Sequence, residues 1–242
     1  MNSGYIVNDI LFEDNHLLIV NKRSSQIVQG DKTGDEPLSD TLKEFIRIRD
    51  HKPGKVYLGV VHRLDRSVSG VLIFAKTSKA LSRLNEMLKE GKISKTYWAV
   101  VQNPPVAWQG HLIHFLRRNE QKNKSFAYDK PVDHSKKAEL IYEVIGKSDN
   151  YYLLEIRLLT GRHHQIRAQL AKIGCAIKGD LKYGFDRPNR DRSIHLHSRK
   201  VELVHPVKKE KLVILADPPD DPLWNYFLKT NHGEQVKKDS IE

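Results

Sequence analysis

The stretch VVHRLDRSVSGVLIFAKT, residues 60–77, sets a charged cluster between two apolar runs. Residues 56–61 and 71–75 are β-branched or aromatic in the main, too short for a helix, and bounded by glycine, serine and charge, so both read as strands. Between them lie His62, Arg63, Leu64, Asp65 and Arg66. A carboxylate among cations, on a loop held by rigid flanks, is the setting of many reactive groups and also of ordinary hairpin loops with surface ion pairs. From this stretch alone both readings stand.

Outward from it, the 242-residue chain carries 41 lysines and arginines against 30 aspartates and glutamates, a formal charge of +11, with 39% apolar residues. That is enough apolar content for a buried core, and the basic field attracts polyanions; RNA or DNA fits better than a membrane surface, because no amphipathic basic helix with an aromatic face is present. The one cysteine, Cys175, excludes intramolecular disulfides and cysteine-based zinc sites. Residues 1–10 lack the pattern of a signal peptide, and no apolar run approaches the ~20 residues of a membrane span. A cytoplasmic protein is expected.

Residues 10–13 and 16–21 predict a hairpin around Asp14 and Asn15, residues that tolerate positive φ. Residues 29–37 are aperiodic. Ser39 is the predicted N-cap of a helix carrying Leu42, Phe45 and Ile46 and ending near Asp50; Ser78 is the predicted N-cap of another, with Leu81, Leu84, Met87 and Leu88 on one face and Gly91 past its end. A strand follows over 95–101. Residues 117–131 are basic, glycine-free and aperiodic, which predicts an exposed loop. Residues 137–145 and 151–159 predict neighbouring strands, with Leu154, Ile156 and Leu158 on one face. A helix is expected from Arg162 to Gly174, with Arg162, Ile166 and Gln169 on one side. Two more strands, over 195–205 and 211–216, and a short helix over 221–229 complete the pattern. Strands and helices do not alternate strictly, which predicts an α+β fold rather than a doubly wound one. No glycine-rich phosphate loop is present, so no nucleotide cofactor is expected.

Three stretches pair unusual residue types with element ends: His62-Arg63-Leu64-Asp65, Lys95-Thr96-Tyr97, and residues 160–167, TGRHHQIR. Together and in this order they resemble the RluA-type pseudouridine synthase family, with its H-R-L-D-x-x-[TV]-S-G, K-x-Y-x-A and G-R-x-H-Q-I-R motifs and a final G-D-x-x-Y, here Gly179-Asp180-Leu181-Lys182-Tyr183. The resemblance spans roughly residues 8–216. It implies a mixed, mostly antiparallel sheet with flanking helices and a central basic cleft, in a single catalytic domain over 1–230. Many relatives also carry a small N-terminal RNA-binding domain, and because the opening hairpin lies so near residue 1 no separate domain of that kind is expected here. The polar composition of residues 231–242 predicts an unstructured tail.

The resemblance implies an isomerase that cuts the C1′–N1 bond of a uridine in structured RNA, ribosomal or transfer, turns the base and rejoins it through C5, with no cofactor and no metal. Asp65 is then the nucleophile, either at C1′ or through a glycal-like intermediate. Arg167 would hold it ionised, with Arg162 as the other candidate. Tyr97 would stack on the uracil and serve at the C5 proton, and Ile166 would cover the other face. Arg63 would fill the space left by a base taken from its stack, and His62 would support the loop by hydrogen bonding.

Where the family has N-K-P-x-G after its opening hairpin, Asn21-Lys22-Arg23-Ser24-Ser25 has neither proline nor glycine, which leaves the shape of that loop open; Val68 stands where threonine is commoner. The pairs His195/His197 and His163/His164 lack a carboxylate at metal-ligand spacing. A monomer suffices for all of this. The rival readings are a catalytically silent RNA-binding protein of the same fold and a hydrolase that releases free base.

Overall fold

The structure, a computed structural model, describes residues 7–30 and 34–239, apart from the side chains of 231–239. Where the sequence draws one domain, contacts group the residues into two compact units, Met1–Lys95 with Ser198–Asp217 (unit 1) and Thr96–His197 with Pro218–Glu242 (unit 2).

Unit 1 opens on the predicted hairpin, β1 (Ile10–Glu13) antiparallel to β2 (Leu17–Lys22). Its turn works differently from the expectation. Among the described residues neither Asp14 nor Asn15 has positive φ. Instead the Asp14 carboxylate accepts the amides of His16 and Leu17 at 2.8 and 2.9 Å, closing the turn with a side chain. β2 pairs antiparallel with β4 (Ser69–Ala75) in a register that sets Lys22 opposite Gly70. The strand expected over 56–61 shrinks to β3 (Gly59–Val60), paired to β4. β10 (Leu196–Val204), which belongs to unit 1 from Ser198 onward, follows β4, and β11 (Lys211–Leu215) lies antiparallel on β10.

Helix α1 (Leu38–Arg49) buries Leu42 and Ile46, but its N-cap is Pro37 and Ser39 is buried inside the first turn. Helix α2 (Ser78–Lys89) has its N-cap one residue earlier than predicted: the Thr77 hydroxyl, not that of Ser78, accepts the Ala80 amide at 3.1 Å. Gly91 takes φ +70° past its end, as glycine does after a helix C-cap. Leu17, Ile19, Val71, Ile73, Ala80, Leu84 and Val201 form the core between helix and sheet.

In unit 2 the strand order is β5-β9-β8-β6-β7: β5 (Ser94–Val101), which enters this unit at Thr96, then β9 (Tyr152–Leu158), β8 (Lys136–Lys147), β6 (Gln109–Asn119) and β7 (Lys124–Tyr128). The β6–β7, β6–β8 and β8–β9 pairings are all antiparallel. The region 117–131 is therefore no loop. Phe115 to Asn119 pair with Tyr128 to Lys124 in a regular hairpin whose outer positions, Arg117, Arg118 and Lys122, are exposed, which is why its composition imitates a loop. Helix α3 (Gln165–Lys172) begins three residues later than expected. The Gln165 side chain turns back, its Oε1 accepting the Arg162 amide at 2.9 Å and the Thr160 hydroxyl at 2.8 Å, so Arg162 lies in the turn before the helix and shares no helical face with Ile166. Helix α4 (Pro222–Asp239) packs Trp224 and Phe227 on Trp98, Val100 and Leu153, and runs through most of the segment the sequence leaves unstructured. Antiparallel pairings with helices that do not alternate make an α+β fold.

Candidate active site

In unit 1 the segment between β3 and β4 is held by its main chain. Lys22, at the end of β2, is 1% exposed, and its ammonium donates to the carbonyls of Arg23 (2.8 Å), Val68 (2.7 Å) and Arg66 (3.4 Å). Three N–H donors thus meet three carbonyl oxygens, which supports the charged form. Burial pushes the Lys22 pKa down to about 7, while the Asp65 carboxylate pulls it back up. The Ser25 amide also donates to the Arg66 carbonyl (2.7 Å), and the Val68 amide to that of Asp65 (3.0 Å). Asp65 therefore sits between backbone groups fixed on both sides.

The open question of the 21–25 loop resolves here. Ser25 stands where the family pattern has glycine, and it adopts φ +70°, the conformation glycine would supply without strain. That conformation aims its amide at the Arg66 carbonyl.

His62 accepts the Ile73 amide at its Nε2 (3.2 Å), which assigns its ring proton to Nδ1. Desolvation, with the Lys95 charge second, drives its pKa down to about 3, so it is neutral across the physiological range. It braces the loop against β4. Leu64 and Val68 are buried anchors, Arg63 is exposed, and Arg66 forms a half-exposed ion pair with Asp35 at 2.6 Å, a contact of small energetic weight.

In unit 2, Tyr97 is buried on β5 and Ile166 is buried in the first turn of α3. Arg162 is exposed, its Nε donating to the Lys137 carbonyl at 3.0 Å. Arg167 is 6% exposed. Its Nε and Nη2 fork onto the two oxygens of Asp180 at 2.7 and 2.8 Å, its Nη1 donates to His164 Nε2 at 3.2 Å, and its guanidinium lies 5.0 Å from the centre of the Tyr183 ring.

Accepting at Nε2 leaves His164 with its proton on Nδ1, which donates to the Tyr183 hydroxyl at 3.0 Å. That hydroxyl also accepts the buried Ser125 amide (2.8 Å) and donates to the Ser125 carbonyl (3.1 Å), fastening the network to β7. His164, the N-cap of α3, holds φ +52°. The sequence singles out Asp180 and Tyr183 only as members of G-D-x-x-Y, and His164 only as a motif position and as half of the His163/His164 pair.

The other histidine pair serves packing: His195 contacts Asp221 at 3.1 Å through Nε2 and Asn189 through Nδ1, and stacks on Trp224. Among the described residues no three His, Cys, Asp or Glu side chains cluster as a metal would need, and no helix is long and apolar enough to cross a membrane.

The RNA pseudouridylate synthase family pattern matches residues 16–172. Ribosomal large subunit pseudouridine synthase C of Buchnera aphidicola subsp. Acyrthosiphon pisum is 34% identical over 238 residues, 93% of this chain and 72% of that protein. Ribosomal large subunit pseudouridine synthase D of Zymomonas mobilis is 30% identical over 223 residues, 88% of this chain and 70% of that one. Among solved structures, human RNA pseudouridylate synthase domain containing 4 superposes with a TM-score of 0.76 at 21% identity, covering 95% of each chain, and shares the fold. With these matches added to the motifs and their geometry, the chain belongs to the RNA pseudouridine synthases of the RluA type, which are isomerases.

Proposed function

We propose that this protein converts one or a few uridines of ribosomal RNA to pseudouridine in the cytoplasm, with Asp65 as nucleophile. The observation that carries the assignment is the mounting of Asp65, on a segment whose flanking carbonyls are gripped by the buried Lys22 ammonium. A reaction that must set one carboxylate oxygen against a sugar carbon needs such a rigid support. Ribosomal RNA comes first among substrates because of the names borne by the relatives.

The C1′–N1 bond of the uridine breaks, the base turns, C1′–C5 forms, the C5 proton leaves and N1 gains one. No atom is added or lost. Asp65 must be ionised, whether it adds at C1′ or removes a proton from the sugar. Arg167 is assigned to favour that charge and to orient the carboxylate; burial and a fixed plane suit it to this better than Arg162, which is exposed. Tyr97 stacks on the uracil and its hydroxyl serves at the C5 proton, and Ile166 covers the opposite face. Arg63, exposed and two residues before Asp65, takes the place of the extruded base. The net charge of +11 draws the RNA in.

The test is tritium release from ribosomal RNA labelled at uridine C5, with pseudouridine mapped in the product. Wild type releases tritium, and Asp65→Asn binds the same RNA with release lower by about four orders of magnitude or more. Turnover by Asp65→Asn would remove the nucleophile assignment. RNA bound by wild type without release would favour a silent binding protein, and free uracil in the product a hydrolase.

A further inference from the structure

The G-D-x-x-Y segment is a motif of this chain to which the reaction above gives no part. The geometry points to Asp180 as the residue that sets the plane of Arg167, and we infer that it acts in the reaction as a positioning residue, through that guanidinium. The inference rests on the assignment of Arg167 made above.

A guanidinium has five N–H donors in one plane. Asp180 takes Nε–H and one Nη2–H with both carboxylate oxygens, a side-on fork that defines the plane and the rotation within it. His164 takes one Nη1–H, and the Tyr183 ring supports one face. Three donors are thus spent inside unit 2 on groups that are themselves held. Asp180 is 1% exposed, with its backbone in a tight turn: its amide donates to the Ile177 carbonyl, and its carbonyl accepts the amides of Tyr183 and Phe185. Gly179 before it has φ +86°, and a Cβ there would lie 2.9 Å from the Asn189 side chain and from the Ser193 carbonyl, so the turn that aims Asp180 requires glycine. The motif therefore reads as one device: glycine makes the turn, aspartate grips the fork, and tyrosine supports the guanidinium and ties it to β7.

Charge compensation alone would explain a buried Asp beside a buried Arg, so the test must separate balancing the charge from fixing its direction. Asp180→Glu keeps the charge and displaces the carboxylate by one methylene; Asp180→Asn keeps the shape and removes the charge. Wild type and variants are compared for melting temperature, RNA affinity and the pH dependence of single-turnover pseudouridine formation. Positioning predicts RNA affinity within about twofold of wild type, a rate lower by about 100-fold in Asp180→Glu despite the retained charge, and an acid limb moved to higher pH because a misaimed Arg167 no longer favours an ionised nucleophile. In an Arg167→Lys background, which has no fork to orient, Asp180→Glu should change the rate by less than about twofold.

A folded Asp180→Glu with the wild-type rate and pH profile, or equal effects in both backgrounds, would overturn the inference. If wild type itself makes no pseudouridine, the functional reading falls and the role of Asp180 in the reaction falls with it, whereas Asp180 as the group that sets the Arg167 plane is still decided by ¹⁵N-arginine spectra of wild type. If both Asp180 variants fail to fold, wild type decides: a held Arg167 gives separate Nη nitrogen signals and a protected Nε–H in ¹⁵N-arginine spectra, and a single averaged Nη signal overturns the proposal.

Discussion

In unit 1, the residues around Asp65 are fixed through main-chain groups: the Lys22 ammonium, the Ser25 amide and the Val68 amide grip carbonyls, and His62 grips an amide. In unit 2, Arg167 is fixed through side chains, the carboxylate of Asp180, the imidazole of His164 and the ring of Tyr183. Both segments also contain a residue other than glycine in the left-handed region, Ser25 at φ +70° and His164 at φ +52°. The difference lies in what such a residue contributes. Ser25 contributes its amide, which any residue but proline would supply, whereas His164 contributes its imidazole. A segment held by its backbone should tolerate side-chain changes as long as the carbonyls stay satisfied, and a segment held by side chains should not.

Lys22 is where the backbone-held segment can be broken hardest, because it is the one gripping group there that is a charged side chain. Lys22→Met keeps the length and apolar stem and leaves up to three carbonyls without their partner, against which the removal of a buried charge is a gain. A net loss of about 3 kcal/mol is expected, which for a chain of this size lowers the melting temperature by roughly 10 °C. Turnover per folded molecule should fall less than in Asp180→Glu, since the backbone bonds from Ser25 and Val68 remain. Calorimetry with single-turnover assays below the lowered melting temperature checks both halves. An unchanged melting temperature would mean the clamp has no energetic role.

The sequence shows more of the backbone-held segment than of the side-chain-held one, and the reason is physical. His62 and Asp65 lie in one linear run, and two of the groups that hold it, the Val68 and Ile73 amides, belong to the same run, while Lys22 and Ser25 reach it from the earlier 21–25 loop. Arg167 is aimed by a carboxylate 13 residues on and, through Tyr183, by a backbone amide on β7, contacts that only the tertiary fold brings together. The strand β7 itself hides in the stretch of 117–131 that reads as a loop, because it is a five-residue edge strand with the small Ser125 and Ala127 on one face, and its partner β6 contributes the exposed Arg117 and Arg118 to the same stretch. Strands such as β8, with Ala138, Leu140, Tyr142 and Val144 buried alternately, announce themselves by period two. Lys22 is hidden for a different reason: lysines are seldom buried, so nothing in composition marks the one that is.

His62 gives a smaller effect, and it is read through pH. Its folded pKa of about 3 lies below the ordinary value near 6.5, so between these two the unfolded chain binds more protons and stability falls as pH falls. His62→Gln retains an acceptor for the Ile73 amide and loses the titration. At pH 7 the variant should be less stable by about 1 kcal/mol through a poorer hydrogen bond, and the gap should close or reverse by pH 4.5. Urea unfolding at the two pH values measures it. A gap that stays constant would mean that the imidazole titrates in the folded protein as it does in water.

Ser25→Gly is the finest probe of the contrast, because it removes a side chain and keeps the amide that grips Arg66. The left-handed conformation costs a residue with a Cβ about 1–2 kcal/mol, which glycine recovers. Glycine also gives the unfolded chain more freedom, costing about 0.4–1 kcal/mol. The terms nearly offset, with a net gain of about 0.5 kcal/mol, or roughly 1–2 °C in melting temperature, and no change in turnover. At His164 the same substitution would relieve the same strain and delete the acceptor on Arg167 Nη1 and the donor to Tyr183, so no gain should survive there. A melting temperature that falls for Ser25→Gly would show that the serine side chain, and not the amide alone, helps to hold the Asp65 segment, and the division between backbone-held and side-chain-held mounting would weaken accordingly.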